Sequence, residues 1–570
     1  MARWTNLVPA IGQARSYRRA WLGKDIAAGL VITGLLAPAG IAYAAAAGLP
    51  PVTGLYATIV PLIAYALFGP SRIMVLGPDS SLTPLLVATI LPLAVANSNE
   101  AVAIAGALSV LAGLMCIAAG LARFGFISEL LSAPVRFGYL HGIAVTIIVA
   151  QAAKLCGFSV TGESLFDQLG QFIDGLNDGR VNGWALGLGL GSVALIIVLR
   201  WASRSIPATL IVVLIGTAMA LLFRLGTRDV PLVGDLPRGI PTPAIPDVDW
   251  RTTRTLLGAA LGVAFVSFAD TSVLSRSMAL RRRETVDANH ELVALGIANV
   301  ASGFFHGFPV SGSNSRTPVA ESAGARTQLT GVVAAVALLV IAIAAPSTFR
   351  HLPDASLAAI VIAAAISLID LPAMLRLFRV RRSEFALSIA AWLAVAVLGP
   401  ISGVVVAVAL SILNFVRLAW TPHTAELVRV DGLKGYHDRA RHPEGRVIPG
   451  LLLYRFDAPL FFANAHFLTQ DVQRRIALQA VPVKCMIITA APITDIDTTA
   501  ADALKELADD LAARDIELRF AELKGTVHDR LDRYQVFDEG TPDHSARTIG
   551  QAVKQYLADY SIEWVDWEDR

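Results

Sequence analysis

Two stretches of this chain set hydroxyls, backbone breaks and ionisable side chains inside runs that are otherwise apolar. Gly77-Pro78-Asp79-Ser80-Ser81 interrupts one run, and Phe308-Pro309-Val310-Ser311-Gly312-Ser313-Asn314-Ser315-Arg316 interrupts another. Proline does not continue a helix and glycine tolerates a break. Each stretch should therefore break the chain and then start a helix, with Asp79 or Ser80 available to cap the first one. The unpaired N–H groups of a first helical turn carry about half a positive charge, and hydroxyls around them make a site for a small anion. Arg316 adds a cation to the second break. Asp270, in Val266-Ser267-Phe268-Ala269-Asp270-Thr271, is a carboxylate in a further apolar run. It is costly there unless it is paired or faces a cavity, so Asp270 with Thr271 reads as the place for a coupling ion or proton.

This is the chemistry of binding, not of bond making. No nucleophile, metal cluster or nucleotide loop stands above background, so the sequence argues against an enzyme and calls for no cofactor and no metal. Cys116, Cys156 and Cys485 lack metal-ligand spacing and read as packing residues, as do His141 and His306 near segment ends.

The elements that must position these residues are membrane helices. Over 570 residues the composition is 55% hydrophobic and 16% charged, with a mean hydropathy of +0.59, more apolar than soluble chains. The net charge of +2 gives no reason to expect nucleic acid. Apolar runs near the length needed to cross about 30 Å of hydrocarbon fall at 25–46, 53–69, 99–121, 135–155, 183–200, 206–223, 254–275, 291–306, 327–345, 356–370, 384–398 and 401–418. The first follows Arg15, Arg18, Arg19 and Lys24, but it is too long and too far from Met1 for a secretory signal. Residues 79–95 and 311–323 are shorter and broken by Pro, Gly and Ser. Counting both gives fourteen segments, with both termini in the cytoplasm.

Loop charges agree with that topology. The inner loops hold Arg72, Arg123, Arg200, Arg204, Arg281 to Arg283, Arg326, Arg376, Arg379, Arg381 and Arg382, whereas 97–100 holds none and 158–181 only Arg180. Loop 225–253 mixes its arginines with Asp229, Asp235, Asp247 and Asp249, and its prolines suggest a rigid cover. Fourteen segments divide as seven plus seven, and an odd number per half inverts the second half. The two broken segments are then third in each half, the arrangement that points to a transporter's binding site. After Trp420 the composition becomes soluble: strands at 451–456, 484–489 and 516–521 alternate with helices at 464–478, 498–514 and onward to about Leu557, a small α/β domain. The domains expected are a cytoplasmic N-terminal segment 1–22, a transmembrane domain 23–420, a linker 421–447 and a soluble domain 448–570. In the soluble domain Thr494-Asp495-Ile496-Asp497-Thr498-Thr499 opens a helix, where hydroxyls could accept phosphate or a nucleotide could dock, or where Asp497 or Thr498 serves only as a cap.

Pro38-Ala39-Gly40-Ile41-Ala42-Tyr43-Ala44, followed by Gly48-Leu49-Pro50-Pro51-Val52-Thr53-Gly54-Leu55-Tyr56, resembles the signature of the sulfate permease (SulP) family of anion transporters. Val233-Gly234-Asp235-Leu236-Pro237-Arg238-Gly239-Ile240-Pro241 and the Pro309 to Arg316 stretch look like further family blocks in the expected order. The C-terminal part resembles a STAS domain. The resemblance implies a core of segments one to four and eight to eleven moving against a gate made of the others, with the anion between the third and tenth segments and Tyr43 beside it. It also implies a homodimer in a bacterial inner (plasma) membrane, an inorganic anion with sulfate first, and a proton as coupling ion, sodium being the alternative. Relatives coupled to sodium join the Asp of segment eight to a hydroxyl one turn on; here that residue is Leu274, although Thr271 and Ser275 are near. A second departure is Asp79, which stands where many relatives are neutral. A carboxylate there repels an anion, so the expectation is that Asp79 is protonated during transport or pairs with Arg316. Thr498 matches the site phosphorylated in STAS antagonists. The competing readings are a bicarbonate or dicarboxylate symporter of the same family, a nucleobase–cation symporter, an anion channel and a membrane scaffold.

Overall fold

The computed structural model describes residues 9–126, 132–160, 165–202, 208–236, 239–313, 316–344, 346–536 and 545–569. Arg204, Pro237, Arg238, Asn314 and Ser315 lie outside the described residues. The chain forms two compact units that divide between Ile412 and Leu413.

In the first unit the apolar runs are helices. Segments one, two and four are Leu22–Ala46, Pro51–Phe68 and Asn99–Leu121; five to seven are Ala133–Leu155, Gly183–Ala202 and Ala208–Leu222. Eight, nine, eleven and twelve are Trp250–Arg282, Ala288–Phe304, Leu329–Ala344 and Asp354–Ile366. Segments thirteen and fourteen run as Arg382–Trp420, broken at Gly399 with φ 82° and followed by Pro400. The third segment is a strand β1 (Leu76–Gly77) and an eight-residue helix Thr83–Ile90, and the tenth is a strand β2 (Ser311–Gly312) and the helix Arg316–Ser322.

The packing repeats between halves, as an inverted repeat requires. The fourth segment packs on the eighth as the eleventh does on the first, and the second meets the ninth, its own counterpart. The fourth and ninth segments also approach closely, because glycines face one another: a Cβ on Gly296 would lie 2.5 Å from Gly113 O, and one on Gly113 2.6 Å from Gly296 O. Lipid offers helices no hydrophobic reason to associate, so backbone proximity through small residues supplies the attraction. The fifth, sixth and twelfth segments pack together, and the twelfth also meets the first.

Two helices stand where the sequence reading has only loops. Leu165–Asn177 and Leu371–Val380 are amphipathic, and Phe166, Ile173, Leu375 and Phe378 are exposed. Their apolar residues recur at helical spacing over too few residues to span a membrane, which suits the interface plane.

The second unit is a six-stranded sheet in the order β4-β3-β5-β6-β7-β8, formed by β3 (Thr424–Arg429), β4 (Tyr436–Asp438), β5 (Leu451–Phe456), β6 (Cys485–Thr489), β7 (Glu517–Ala521) and β8 (Ser545–Ala546). β5 to β8 are parallel, and β3 joins β5 antiparallel, Glu426 opposite Tyr454. Helices Ala465–Ala477 and Thr498–Ala512 cover one face and Ile549–Asp559 the other. The stretch 421–447 is therefore not a linker. It supplies the two antiparallel strands that cover the edge of the parallel sheet, and Arg429, 4% exposed, anchors the chain end through Asp566 at 2.8 Å.

Candidate functional site

The site is the crossing of the two broken segments. β1 and β2 pair antiparallel, with Leu76 opposite Gly312 and Gly77 opposite Ser311. Ser313 N–H donates to Val75 O at 3.0 Å, and Val75 N–H to Thr317 Oγ1 at 3.0 Å. At membrane depth every backbone polar group needs a protein partner, and each broken segment satisfies the other. Neighbouring helices complete the frame. Asn299 of the ninth segment accepts Val310 N–H at 2.8 Å and donates to Val310 O at 3.2 Å. Ser267 Oγ donates to the same carbonyl at 2.6 Å, and Ser302 Oγ to Phe308 O at 2.8 Å. Gln328 of the eleventh ties down Ser71 O and Met74 O at 2.8 and 3.0 Å.

Onto this frame the fold brings the ionisable groups. Arg316 is 4% exposed. Its Nε donates to Ser313 Oγ at 2.8 Å, its Nη2 to Pro78 O, and the same Nη2 lies 3.5 Å from Asp79 Oδ1. Nη1 has no partner, nor does the buried Ser311 hydroxyl, among the described residues. Asp79 also accepts from Ser81 Oγ at 3.2 Å. Tyr43 of the first segment is buried and interacts with Ser80. Asp270, 7% exposed, interacts with Ser81 and Asp79. Gly77, Pro78, Asp79, Ser80, Ser81, Ser311, Gly312, Ser313, Arg316, Tyr43 and Asp270 thus meet at one place.

Three expectations meet the geometry here. Asp79 and Ser80 do not cap the third-segment helix, whose N-cap position is Leu82 without a side-chain bond; the turn through Ser80 to Leu82 intervenes, and Asp79 is left free to face Arg316. Thr271 is spent on the frame: it donates to Ser267 O at 2.7 Å and accepts Gly312 N–H at 2.9 Å. In the second unit Asp497 caps its helix, accepting Ala500 N–H at 2.8 Å and Phe462 N–H at 2.9 Å, while Thr498 opens that helix with an exposed side chain.

Sequence reasoning missed several groups. Tyr139 of the fifth segment is buried, its hydroxyl unpartnered among the described residues and in electrostatic reach of Asp270. Glu291, fully buried, accepts from Tyr65 Oη, from Ser275 Oγ at 2.8 Å and from Ser71 Oγ at 3.0 Å, which fastens the second, eighth and ninth segments together. Asp25, also buried, accepts Arg326 N–H at 2.7 Å and Thr327 Oγ1 at 2.8 Å at the start of the eleventh segment. The available signal was a lone polar residue in or beside an apolar run.

Comparison with known proteins adds a second line. Residues 22–391 match the family described as Sulfate permease family, and residues 442–552 match the STAS domain. The chain is 39% identical over 554 residues to a Mycobacterium tuberculosis protein named probable sulfate transporter, covering 96% of this chain and 98% of that one. It is 29% identical to the chloroplastic sulfate transporter 4.1 of Arabidopsis thaliana, over 92% of this chain and 78% of that one. Murine Solute Carrier 26 family member A9, an anion transporter solved in the inward-facing state, superposes with a TM-score of 0.88 at 22% identity, over 98% of this chain and 95% of that chain. The transmembrane domain of a cyanobacterial bicarbonate transporter, BicA, gives 0.60 at 24% identity, over 70% of this chain and 98% of that chain.

Proposed function

The chain belongs to the sulfate permease family, and on that premise we propose that it takes up an inorganic anion, sulfate first, together with protons, by alternating access. It is a multi-pass membrane protein of an anion-transporter family. The observation that carries the finer reading is the crossing itself: a buried guanidinium whose Nη1 has no partner among the described residues, beside a buried Ser311 hydroxyl that likewise has none among them. Unpartnered buried donors are costly, and an oxyanion lying against β2 satisfies both. Ser80 and the first turn at Thr83 offer further donors from the opposite break.

Charge balance supplies the argument for protons. With Asp79 and Asp270 both ionised, Arg316 leaves the crossing one charge negative before an anion enters. A dianion would then face net repulsion in a medium where unit charges a few ångströms apart interact by several kcal/mol. Protonating one or both carboxylates as the anion arrives removes that repulsion, and deprotonation on the far side expels the cargo. In this reading Asp79 and Asp270 carry the coupling protons, and Thr271 holds the frame. Segments one to four and eight to eleven move as the core against the remaining segments. The inner arginines and the even segment count support cytoplasmic termini, in a cell whose inner (plasma) membrane holds the protein as a homodimer.

The test is uptake of labelled sulfate into proteoliposomes with and without an inward proton gradient, against competing bicarbonate, chloride and succinate. Saturable uptake stimulated by the gradient supports the reading. Uptake indifferent to the gradient removes the proton, and sulfate that neither enters nor competes removes sulfate as the cargo.

A further inference from the structure

We propose that the cavity where the first, fifth and twelfth segments end or begin is an outer capture site for a hydrated oxyanion, with Lys154 as its cation; this rests on the transport reading above. The first segment ends at Ala46, the fifth at Leu155, and the twelfth begins at Asp354. With the N-terminus inside, all three ends face outward. Between them lies a cavity of about 450 Å³. Thr83 and Pro84, the first turn of the third-segment helix, and Ala42, next to Tyr43, line its inner part. The inner wall of the cavity is thus built from the elements that carry the crossing.

Lys154 Nζ donates to Ala45 O at 2.7 Å, a carbonyl at the negative end of the first helix. An ammonium has three donors, so two remain without a partner among the described residues. The carboxylate that lines the cavity, Asp354, interacts with Lys154 electrostatically, yet no ion pair within 4.0 Å joins the two. Gln151, one turn before Lys154 on the same face, is 5% exposed and lines the cavity, as does Asn97. An ammonium with spare donors and two carboxamides recognise an oxyanion through charge and N–H groups together. The apolar remainder of the wall, Val87, Leu91 and Leu357 among it, keeps the field of Lys154 from being screened.

Size fixes the state of the ligand. At about 30 Å³ per water, the cavity has room for an oxyanion with on the order of ten waters. Dehydration is then left to the crossing, where the donors are dry. Asp354 acts as the competitor: it balances Lys154 in the empty cavity and must yield when an anion docks. The two residues consequently have opposite effects on capture, which a purely structural pair would not show.

The experiment measures transport from each side separately, with labelled sulfate, bicarbonate and succinate as probes, in intact cells and in inverted membrane vesicles carrying the full chain. Lys154→Gln should raise the KM measured from outside by about tenfold with the inside KM unchanged. Lys154→Arg should retain the wild-type value, and Asp354→Asn should lower the outside KM severalfold. An unchanged outside KM in Lys154→Gln overturns the proposal. So does a fall in Vmax from both sides at constant KM, which marks a helix-capping role, and so does an Asp354→Asn variant that weakens capture as Lys154→Gln does. If Lys154→Gln does not fold, the arginine and asparagine variants decide alone. Wild type that moves none of the three anions sinks the transport reading and this inference with it, whereas normal wild-type uptake with insensitive variants sinks the inference only.

Discussion

On the proposed reading Arg316 has two tasks at the crossing, compensating Asp79 and presenting Nη1, and substitution can separate them. In Arg316→Met the Asp79 carboxylate loses its cation. At 3.5 Å and an effective dielectric of about 20, the attraction lost is about 5 kcal/mol. Removing one partner of a buried pair costs about 3–5 kcal/mol, whereas replacing both partners by neutral groups of similar shape is near neutral. Both side chains are well shielded, 5% and 12% exposed, so solvent does little to soften the loss. The single variant should therefore melt several degrees lower in detergent, and Arg316→Met with Asp79→Asn should recover most of that loss. Transport should not recover. A charged hydrogen bond to the anion is worth about 1.5–3 kcal/mol, so the double variant should show a KM raised roughly 10- to 100-fold. Thermal unfolding followed by tryptophan fluorescence gives the first quantity, and sulfate uptake into proteoliposomes the second. A double variant that transports as wild type does would refute the anion role of Nη1, and a stable single variant would refute the ion pair.

Four further outcomes follow from the same geometry. Asn299→Leu removes both bonds to Val310 and should cost about 2–4 kcal/mol, seen as a lower melting temperature with a raised anion KM. Gly54→Ala should abolish membrane expression of folded protein, because a Cβ there would meet Gly40 O at 1.9 Å, while Gly258→Ala, with nothing within 4 Å, should be silent. Asp79→Asn should shift the pH dependence of uptake, and an unaltered pH profile removes Asp79 from the coupling scheme. In the STAS domain, burial tends to raise the Asp566 carboxyl, but Arg429 and neighbouring amides outweigh it and hold it below the usual range. A depressed folded value stabilises fully above the unfolded value near ~3.9 and is lost as pH falls through the folded value. Asp566→Asn should accordingly flatten the acid limb of that domain's unfolding, read by circular dichroism.

Much of this architecture is written in punctuation. The breaks at Gly77-Pro78 and Pro309 are legible because proline and glycine act locally, and the membrane runs are legible because lipid demands length. Gly399-Pro400 likewise parts the last two segments where the apolar run pauses. The frame around the site is not legible, since its partners are remote: Asp25 reaches Thr327 across 302 residues, and Tyr65 reaches Glu291 across 226. A single polar residue in an apolar run has no period and names no partner. β3 escaped notice for another reason. Thr424-Ala425-Glu426-Leu427 alternates, but it is short and polar enough to pass for the connecting chain around it. The helices 165–177 and 371–380 are too short for a span, and hydropathy averages hid them.

The pairing of β1 with β2 also governs how the protein can be made. Val75 finds its partner Thr317 only 242 residues later, so when the first half has left the ribosome, Leu76 and Gly77 carry backbone groups with nothing yet to bond. Hydrocarbon does not tolerate such groups. The third segment must therefore wait in a sheltered or watery place while some hundreds of residues are synthesised, and enter the bilayer interior only when the tenth arrives to close the ladder. Assembly of the crossing thus waits for the tenth segment, and neither half of the chain made alone can present it.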